Sequence, residues 1–588
     1  MADDIGTAPT VHPDALPWSR RLPTVRCMSN SSRRTLLKAG LATGTASLAV
    51  PATGLLRPAD ARPSAATPGL RRTPFTLGVA AGDPLPDGFV IWTRLAPTPL
   101  AEDGHGGMPS RSYQVGWQVA VDRRFRKVVR AGSATASPAS AHAVHVELEG
   151  LAPGREYFYR FRQGPWRSPV GRALTAPAYG AKVRALHMAF MSCSQFEHGY
   201  FTAYRHLAAE RPDLVLHLGD YQYEYRAGDY VAETGNVRDH EGPETETLAN
   251  YRQRHAQYKT DPDLQAAHAA APWVAVWDDH EVDNNWADEA YEKPEIPQPG
   301  FLDRRAAASR AYYENMPLRR RSVPHGIDMR LYRRLHWGDL ATFHMLDTRQ
   351  YRDDQACDDG YKDCAEAADP RRTLTGTAQE RWLLDGFRRS EARWDLLGQQ
   401  VFFGRRDSVE DPQVNAVSMD SWDGYPASRE RITQGWVDAG IRNPVVLTGD
   451  VHAHWASDLH LGGRAEGAPV GAELITSSIT SGGDGYDEST GTHPWAAWNP
   501  NLRFWTNLRG FVSTRITRTE MTANVQCVPQ VSVPDAPVFT RSTIVVEDRV
   551  PGIAEVSSPG AAQRLLRASR PAPAAQQIVK DTLQAEGH

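Results

Sequence analysis

The stretch WVAVWDDHEVDNN, residues 273–285, decides the fold, because a short apolar run changes abruptly into charged and amide residues. A continuous apolar run of this length indicates a strand that is buried on both faces of a sheet. Two other runs end in the same way: Leu214–Leu218 continues into Gly219 and Asp220, and Val445–Thr448 continues into Gly449 and Asp450. The sequence therefore predicts buried strands whose ends carry polar side chains.

Helical segments separate these strands, and residues 199–211 and 248–270 are the clearest of them. Strands that alternate with helices predict an α/β fold in which helices cover both faces of the sheet structure. Residues 500–547 return to strand-like alternation. Further apolar runs of the same kind are Leu186–Met191, Leu340–Leu346 and Trp394–Val401.

The region before these strands has another pattern. Residues 75–178 alternate apolar and polar positions between turns such as Asp87-Gly88, which predicts an antiparallel β-sandwich of the immunoglobulin or fibronectin type. The predicted domains are an N-terminal extension with a signal peptide (1–61), the β-sandwich (70–178), a catalytic domain (184–530) and a C-terminal segment (531–588).

Composition excludes several classes of protein. The chain has 588 residues, of which 41% are hydrophobic and 23% charged, so it is long and apolar enough to form a core. The formal charge of −4 comes without a concentrated basic face, so we expect no nucleic-acid-specific binding. Five cysteines are too few for a disulfide scaffold. Cys357 and Cys364 lie in an Asp-rich segment, and their pairing stays open.

The N-terminus reads as a targeting segment. Arg33 and Arg34 precede a weakly apolar run, and Ala59-Asp60-Ala61 is a small-x-small cleavage pattern. These features predict export by the twin-arginine machinery and a secreted or cell-envelope location. The run is broken by Gly and Pro, and no other stretch is long enough to span a bilayer, so we expect no membrane span in the mature protein.

The polar clusters at the strand ends contain residues that bind metals. Because ligands bind at the carboxyl ends of strands in open α/β sheets, we expect the clusters to converge. Several carboxylates brought together require a cation between them. Hard oxygen donors suit Ca²⁺, Mg²⁺ or Mn²⁺, whereas thiolate, phenolate and imidazole suit a metal such as iron. The candidate ligands are Cys193, Asp220, Tyr223, Asp279, Asn284, Asp450 and His452.

Two metals that share one carboxylate explain this mixture of donors, and Asp220 is the natural bridge. Asp450 and His452 point the same way if the chain between them stays extended. Tyr221 and Tyr225 are rivals of Tyr223, because all three share one face of an extended chain, and spacing does not choose among them.

Five motifs in order carry a family resemblance: SCSQF (192–196), HLGDYQYEY (217–225), WDDHEVDNNW (277–286), LDTRQYR (346–352) and TGDVHAHW (448–455). Together they resemble the bacterial alkaline phosphatase D (PhoD-like) family of secreted phosphodiesterases and phosphatases, within the metallophosphoesterases. The resemblance covers about residues 75–530 and implies a four-layer sandwich of two mixed sheets flanked by helices.

The resemblance also implies the cofactors Fe³⁺ and Ca²⁺. Cys193, Asp220, Tyr223 and His452 would surround the iron. Asp220, Asp279 and Asp450 would hold calcium, with Asn284 as a further candidate.

The function implied is hydrolysis of a phosphate ester by a metal-activated water. His280 is expected to hydrogen-bond the phosphoryl group or protonate the leaving alkoxide, and Arg349 is expected to clamp phosphate oxygens. Two alternatives remain at this point. One is a phospholipase D-type hydrolase of lipid headgroups, and the other is a non-catalytic extracellular binding protein stabilised by metals.

Overall fold

The computed structural model of the protein describes residues 70–293, 295–559 and 569–585. The predicted signal peptide and N-terminal extension, residues 1–61, lie outside the described residues. Among the residues described, no helix is both long and apolar enough to cross a bilayer.

The first part of the described chain is made of strands. In chain order they are β1 (Ala80–Leu85), β2 (Gly88–Arg94), β3 (Tyr113–Ala120), β4 (Val128–Ala136), β5 (Ala143–Glu147), β6 (Glu156–Gln163), β7 (Trp166–Arg167) and β8 (Gly171–Leu174).

Strands and helices alternate in the middle of the chain. They are β9 (Ala185–Met191), α1 (Thr202–Glu210), β10 (Leu214–Leu218), α2 (Leu248–Thr260), α3 (Pro262–Ala270), β11 (Pro272–Val276), α4 (Phe301–Asn315), β12 (Arg333–Trp337), β13 (Ala341–Met345), β14 (Tyr361–Lys362), α5 (Gly376–Arg388), β15 (Trp394–Gln399), β16 (Val417–Ser418), α6 (Pro426–Asp438) and β17 (Pro444–Thr448).

The last part is mostly β-structure and ends in a helix. Its elements are β18 (His454–Leu459), β19 (Gly471–Ile475), β20 (Tyr486–Asp487), β21 (Leu502–Thr506), β22 (Arg509–Thr517), β23 (Glu520–Val528), β24 (Phe539–Glu547), β25 (Glu555–Ser557), β26 (Arg570–Pro571) and α7 (Ala575–Ala585).

Two large mixed sheets dominate the described chain. The first has ten strands in the order β25-β24-β23-β22-β9-β10-β11-β1-β2-β5, and the second has seven in the order β12-β13-β15-β17-β19-β18-β21. One apolar cluster joins strands of both sheets, so the main core lies between them. Helices α1 to α4 pack on the other side of the first sheet, and α5 and α6 pack on the second.

Strand β10 is an example of a buried strand without a polar face. Leu214 and Leu216 belong to the core between the sheets, whereas Val215 packs with the helices. His217 also lies on the face that is covered by the helices, and its ring stacks on that of Trp273 with 5.8 Å between the ring centres. Both faces of the strand are covered, so nearly every position is apolar. The predicted α/β fold is confirmed at this level.

The strands of the predicted β-sandwich (70–178) lie in two sheets that pack on each other, and one of these sheets is shared with the rest of the chain. A five-stranded sheet of β3, β4, β6, β7 and β8 packs against β1, β2 and β5, but those three strands belong to the ten-stranded sheet. β1 pairs in parallel with β11, with Gly82 opposite Trp273. Alternation identifies strands but not their partners, and for that reason the sequence did not reveal that the sheet continues past residue 178.

The strand-like alternation over 500–547 corresponds to strands of the first sheet, where β24 pairs with β23, and β25 then pairs with β24. The helical segment 248–270 is two helices, since Asp261 adopts an extended conformation before Pro262 and accepts hydrogen bonds from the first amides of α3.

Candidate metal centre

Four strand ends of the two sheets carry the candidate ligands. Cys193 follows β9, Asp220 follows β10, Asp279 follows β11, and Asp450 and His452 follow β17. Four of these residues adopt the left-handed conformation that non-glycine residues rarely take, with φ values of 59° (Cys193), 54° (Asp220), 59° (Asp450) and 54° (His452). Such strain persists only where the surrounding structure imposes it, and four of the five candidate ligands at these strand ends carry it.

Two glycines let the loops approach closely. A Cβ at Gly219 would lie 2.4 Å from the Cβ of Asp278, and φ is +117° there. A Cβ at Gly449 would lie 2.9 Å from the Cβ of Ser192. The strand ends therefore meet only because these positions have no side chain.

A first group of donors combines sulfur, oxygen and nitrogen. Ligand atoms of Cys193, Asp220 and His452 lie within 4.8 Å of one another, and all three residues are buried. The Tyr223 hydroxyl donates to Asp220 Oδ2 at 2.9 Å and lies 3.2 Å from His452 Nε2. The structure thus distinguishes Tyr223 from Tyr221, whose hydroxyl faces His268 at 2.9 Å instead.

A second group is made of carboxylates and shares Asp220 with the first. Ligand atoms of Asp220, Asp278, Asp279 and Asp450 lie within 4.8 Å of one another. The same limit holds for Asp220, Asp279 and His280. Among the described residues, three oxygens of this group are buried without a hydrogen-bond partner: Asp220 Oδ1, Asp278 Oδ2 and Asp279 Oδ1. Asp220 therefore has the position of a bridge between two donor groups, here called the metal cluster.

The electrostatics of the metal cluster call for a cation. Burial raises the pKa of Asp220 and of Asp450 well above the usual range, and neighbouring carboxylates raise both further. Burial likewise raises the pKa of the Cys193 thiol and the Tyr223 phenol, with Asp220 adding to each. Anionic forms of these groups are stable here only when positive charge lies between them.

Arg349 contacts the carboxylates of the metal cluster. Its guanidinium is fully buried, donating to Asp278 Oδ1 at 2.5 Å and to Asp420 Oδ1 at 2.8 Å. It also lies 3.7 Å from Asp279 and 3.8 Å from Asp450. Two of its nitrogens are thus held by protein carboxylates, whereas Nη2 has no hydrogen-bond partner among the described residues, so the phosphate clamp stays a prediction. A position just past a strand end does not reveal which side of the loop a side chain occupies.

His280 is oriented by a carboxylate that the sequence analysis missed. Its Nδ1 lies 2.9 Å from Glu224 Oε2, and the other oxygen of Glu224 accepts the amide of Asn284 at 2.9 Å. Burial alone would lower the pKa of His280, but Glu224, Asp279 and Asp220 raise it well above its usual value. Because Nδ1 is held by Glu224, Nε2 is the nitrogen left for a substrate.

Glu281 is another missed residue, and it fixes the loops. Its carboxylate accepts the backbone amides of Asp220 (3.2 Å), Tyr221 (2.6 Å) and Asp278 (2.8 Å). Ser481 was missed as well, and it donates to the Tyr223 hydroxyl at 2.7 Å. Glu281 lies inside the motif at 277–286, so a charged residue at a position expected to be buried could have identified it. No pattern in the sequence indicated Ser481, because it comes from a loop that is distant in the chain.

A narrow cavity of about 20 Å³ opens on the metal cluster. Asp220, Asp279, His280, Asn284, Asp450 and His452 line it, together with Asp420, Phe402 and the last described residue of α7, Ala585. Asn284 thus faces the same space as the candidate ligands. His454 neither belongs to the donor groups nor lines the cavity, and its Nδ1 accepts the amide of Ser477 at 3.0 Å.

Comparison with known proteins agrees with this geometry. The family model for PhoD-like phosphatase matches residues 188–525, and the model for the N-terminal domain of PhoD-like phosphatase matches residues 61–177. The chain is 50% identical over 495 residues to alkaline phosphatase D of Bacillus subtilis (strain 168), covering 84% of each protein.

The chain belongs to the PhoD-like phosphatase family.

A solved structure described as "Structure of PhoD" superposes with a TM-score of 0.84 at 47% identity, covering 88% of this chain and 98% of that one. The PhoD-like resemblance read from the motifs is confirmed, and with it the function as a hydrolase of phosphate esters. The two family matches divide the chain near residue 177, although the ten-stranded sheet continues across that point.

Proposed function

We propose that this PhoD-like phosphatase hydrolyses phosphate esters at a centre of Fe³⁺ and Ca²⁺ that share Asp220. Cys193, Tyr223 and His452 complete the iron side, and Asp279, Asp450 and Asn284 complete the calcium side. The observation that carries the proposal is the position of Asp220 in both donor groups. The thiol, phenol and imidazole lie on one side of it and the carboxylates on the other, as iron and calcium respectively prefer.

The residues present fit such a pair of cations. Three carboxylate oxygens of the metal cluster have no hydrogen-bond partner within the described chain, as expected for atoms that face a cation. The raised pKa values of Asp220 and Asp450 mean that their ionised forms are unfavourable in this buried site, and bound cations would stabilise those forms. When bound, the metals supply a water of lowered pKa and neutralise charge on the phosphoryl group.

The side chains of the protein orient the reacting groups and transfer a proton. Glu224 holds His280 by Nδ1, so that Nε2 can hydrogen-bond a phosphoryl oxygen or protonate the leaving alkoxide. Arg349 holds the carboxylates in place and keeps Asp279 ionised. Burial alone would raise the pKa of Asp279, but the guanidinium of Arg349 lowers it below its usual value. The narrow cavity limits the water around the phosphoryl group.

We also propose the finer fold and location predicted from the sequence. The packing of helices on the outer sides of two facing sheets supports a four-layer metallophosphoesterase sandwich. Arg33 and Arg34 support export by the twin-arginine machinery to a secreted or cell-envelope location. A reporter fused after residue 61 tests this, since export should cease when both arginines become lysine.

Cys193→Ala tests the metal assignment against a matched control. Cys527 is also a buried free cysteine, but it lies in β23. We expect purified Cys193→Ala to lose iron and at least 100-fold in kcat/KM on aryl phosphomonoesters and phosphodiesters, whereas Cys527→Ala keeps iron. Elemental analysis supplies a readout that is independent of activity. Iron at the wild-type level in Cys193→Ala would contradict the proposed ligand set.

A further inference from the structure

Asn285 lies in the loop that follows β11, and it lines the narrow cavity. Its backbone amide donates to Asp279 Oδ2 at 2.8 Å. The other oxygen of Asp279, Oδ1, is buried and has no hydrogen-bond partner among the described residues. The amide of Asn285 therefore determines which oxygen of Asp279 is available to a cation.

The position of Asn285 depends on a part of the chain that is distant in sequence. Its backbone oxygen accepts the side-chain amide of Gln355 at 2.9 Å, and its own side-chain amide donates to Asp359 Oδ2. Asn285 has a φ of 49°, in the left-handed region that asparagine tolerates better than most residues. Hydrogen bonds on both its backbone and its side chain thus hold the residue whose amide contacts Asp279.

Asp359 lies between Cys357 and Cys364, which form a disulfide. Residues 357–364 are here called the disulfide segment. A cross-link that joins both ends of this segment restricts its conformations, so the carboxylate of Asp359 is held in place before a metal binds. The Oδ1 atom of Asp359 accepts the amide of Gly360 at 2.6 Å, which leaves Oδ2 to accept the side chain of Asn285.

We propose that Asp359 is a positioning residue of this enzyme: it orients Asn285, whose amide fixes Asp279 Oδ2 and leaves Asp279 Oδ1 to bind calcium. The inference rests on the proposed metal centre and adds a residue outside the five sequence motifs. Groups that orient a metal ligand without touching the metal affect its affinity by about 10-fold or more, so we expect about 10-fold here. Asp279 belongs to the carboxylate group of donors and not to the group with Cys193, so the iron should stay bound.

Calcium binding to Asp359→Ala tests the proposal. A calcium-selective chelator removes calcium from the purified enzyme, elemental analysis verifies that iron remains, and calcium is then titrated by calorimetry. We expect the Kd for calcium to rise about 10-fold while the iron content stays at the wild-type level. Hydrolysis of bis(4-nitrophenyl) phosphate should fall at limiting calcium, and excess calcium should restore most of it.

The matched control is Asp363→Ala. Asp363 lies in the disulfide segment as well but is exposed, and the substitution removes the same charge. We expect its Kd for calcium to match that of the wild type. Asn285→Gly is a second test, because glycine keeps the backbone amide and tolerates a φ of 49°. It should raise the Kd as Asp359→Ala does, and the two substitutions together should raise it no further.

An unchanged Kd for calcium in Asp359→Ala, an equal rise in Asp363→Ala, or additive effects of Asp359→Ala and Asn285→Gly would overturn the proposal. Loss of iron together with calcium in Asp359→Ala would also overturn it, because the whole cluster would then depend on this residue for its structure. Failure of the proposed function would look different, since wild type itself would then bind no calcium or would hydrolyse the diester equally well without it.

Discussion

At the scale of single residues, the metal cluster depends on side chains that leave their strands at strained positions. Positive φ values occur at Cys193, Asp220, Asp450 and His452. The backbone turns sharply at each of them, so each donor side chain points toward the cluster directly after its strand. The chain between Asp450 and His452 is not extended, yet both side chains reach the cluster. Strain of this kind is maintained by contacts such as the three amides held by Glu281.

Glu224→Gln is the prediction at this scale. The amide keeps the shape of the side chain but removes the charge that holds His280, so protonation of the leaving group should suffer. We expect kcat/KM for an alkyl phosphodiester to fall about 10- to 100-fold, and for a 4-nitrophenyl diester clearly less, because nitrophenolate leaves without a proton.

The double variant supplies the control for this prediction. In a His280→Ala background, Glu224→Gln should have little further effect, since the two residues act as one unit. Equal losses for alkyl and nitrophenyl diesters would show that Glu224 acts only on structure.

At the scale of elements, the disulfide left open by the sequence forms between Cys357 and Cys364. It closes a loop that contains β14, which pairs with β16. In the same loop Asp359 accepts a hydrogen bond from Asn285, which lines the narrow cavity. The loop thus connects a cross-link at the surface to one wall of the metal cluster.

Removal of the disulfide should affect stability first. For so short a loop, we expect Cys357→Ser combined with Cys364→Ser to lower the free energy of unfolding by about 2.5 kcal/mol. Denaturant unfolding under oxidising conditions measures this. Wild type unfolded in excess reductant should reproduce the value, and reductant should not change the double variant. A reductant effect of equal size on the double variant would contradict the interpretation.

At the scale of the whole molecule, strands from both ends of the described chain complete the sheet that carries Cys193, Asp220 and Asp279. β1 pairs with β11, and β22 pairs with β9. The buried pair of Arg333 and Asp83, at 2.8 Å, also ties the second sheet to β1. The metal cluster therefore depends on the N-terminal and C-terminal parts of the chain together.

Metal binding should change how stability depends on pH. In the absence of metal, burial raises the pKa of Asp278 to about 7 and of Glu281 to about 8, and raises those of Asp220 and Asp450 as well. Such groups bind protons more tightly in the folded state, so their contribution is present below about pH 4 and is lost as pH rises. We expect metal-free protein to lose stability between about pH 4 and pH 8.

Thermal unfolding with and without chelator measures this effect. The difference in Tm between metal-loaded and metal-free protein should widen as pH rises through that interval. Asp450→Asn should narrow the difference, since one ionisable group is removed. A Tm difference that is constant from pH 5 to pH 8 would show that these carboxylates do not govern stability.

The sequence by itself determined the buried strands, the α/β class, the family and most of the donors, because apolar runs and the residues that end them are local patterns. Only the tertiary structure decided that Tyr223 and not Tyr221 joins the cluster, that Arg349 binds Asp278, and that Glu224 holds His280. It also decided that the sheet continues past both predicted domain boundaries. These features depend on which strands pair and which way loops turn, and long-range packing sets both.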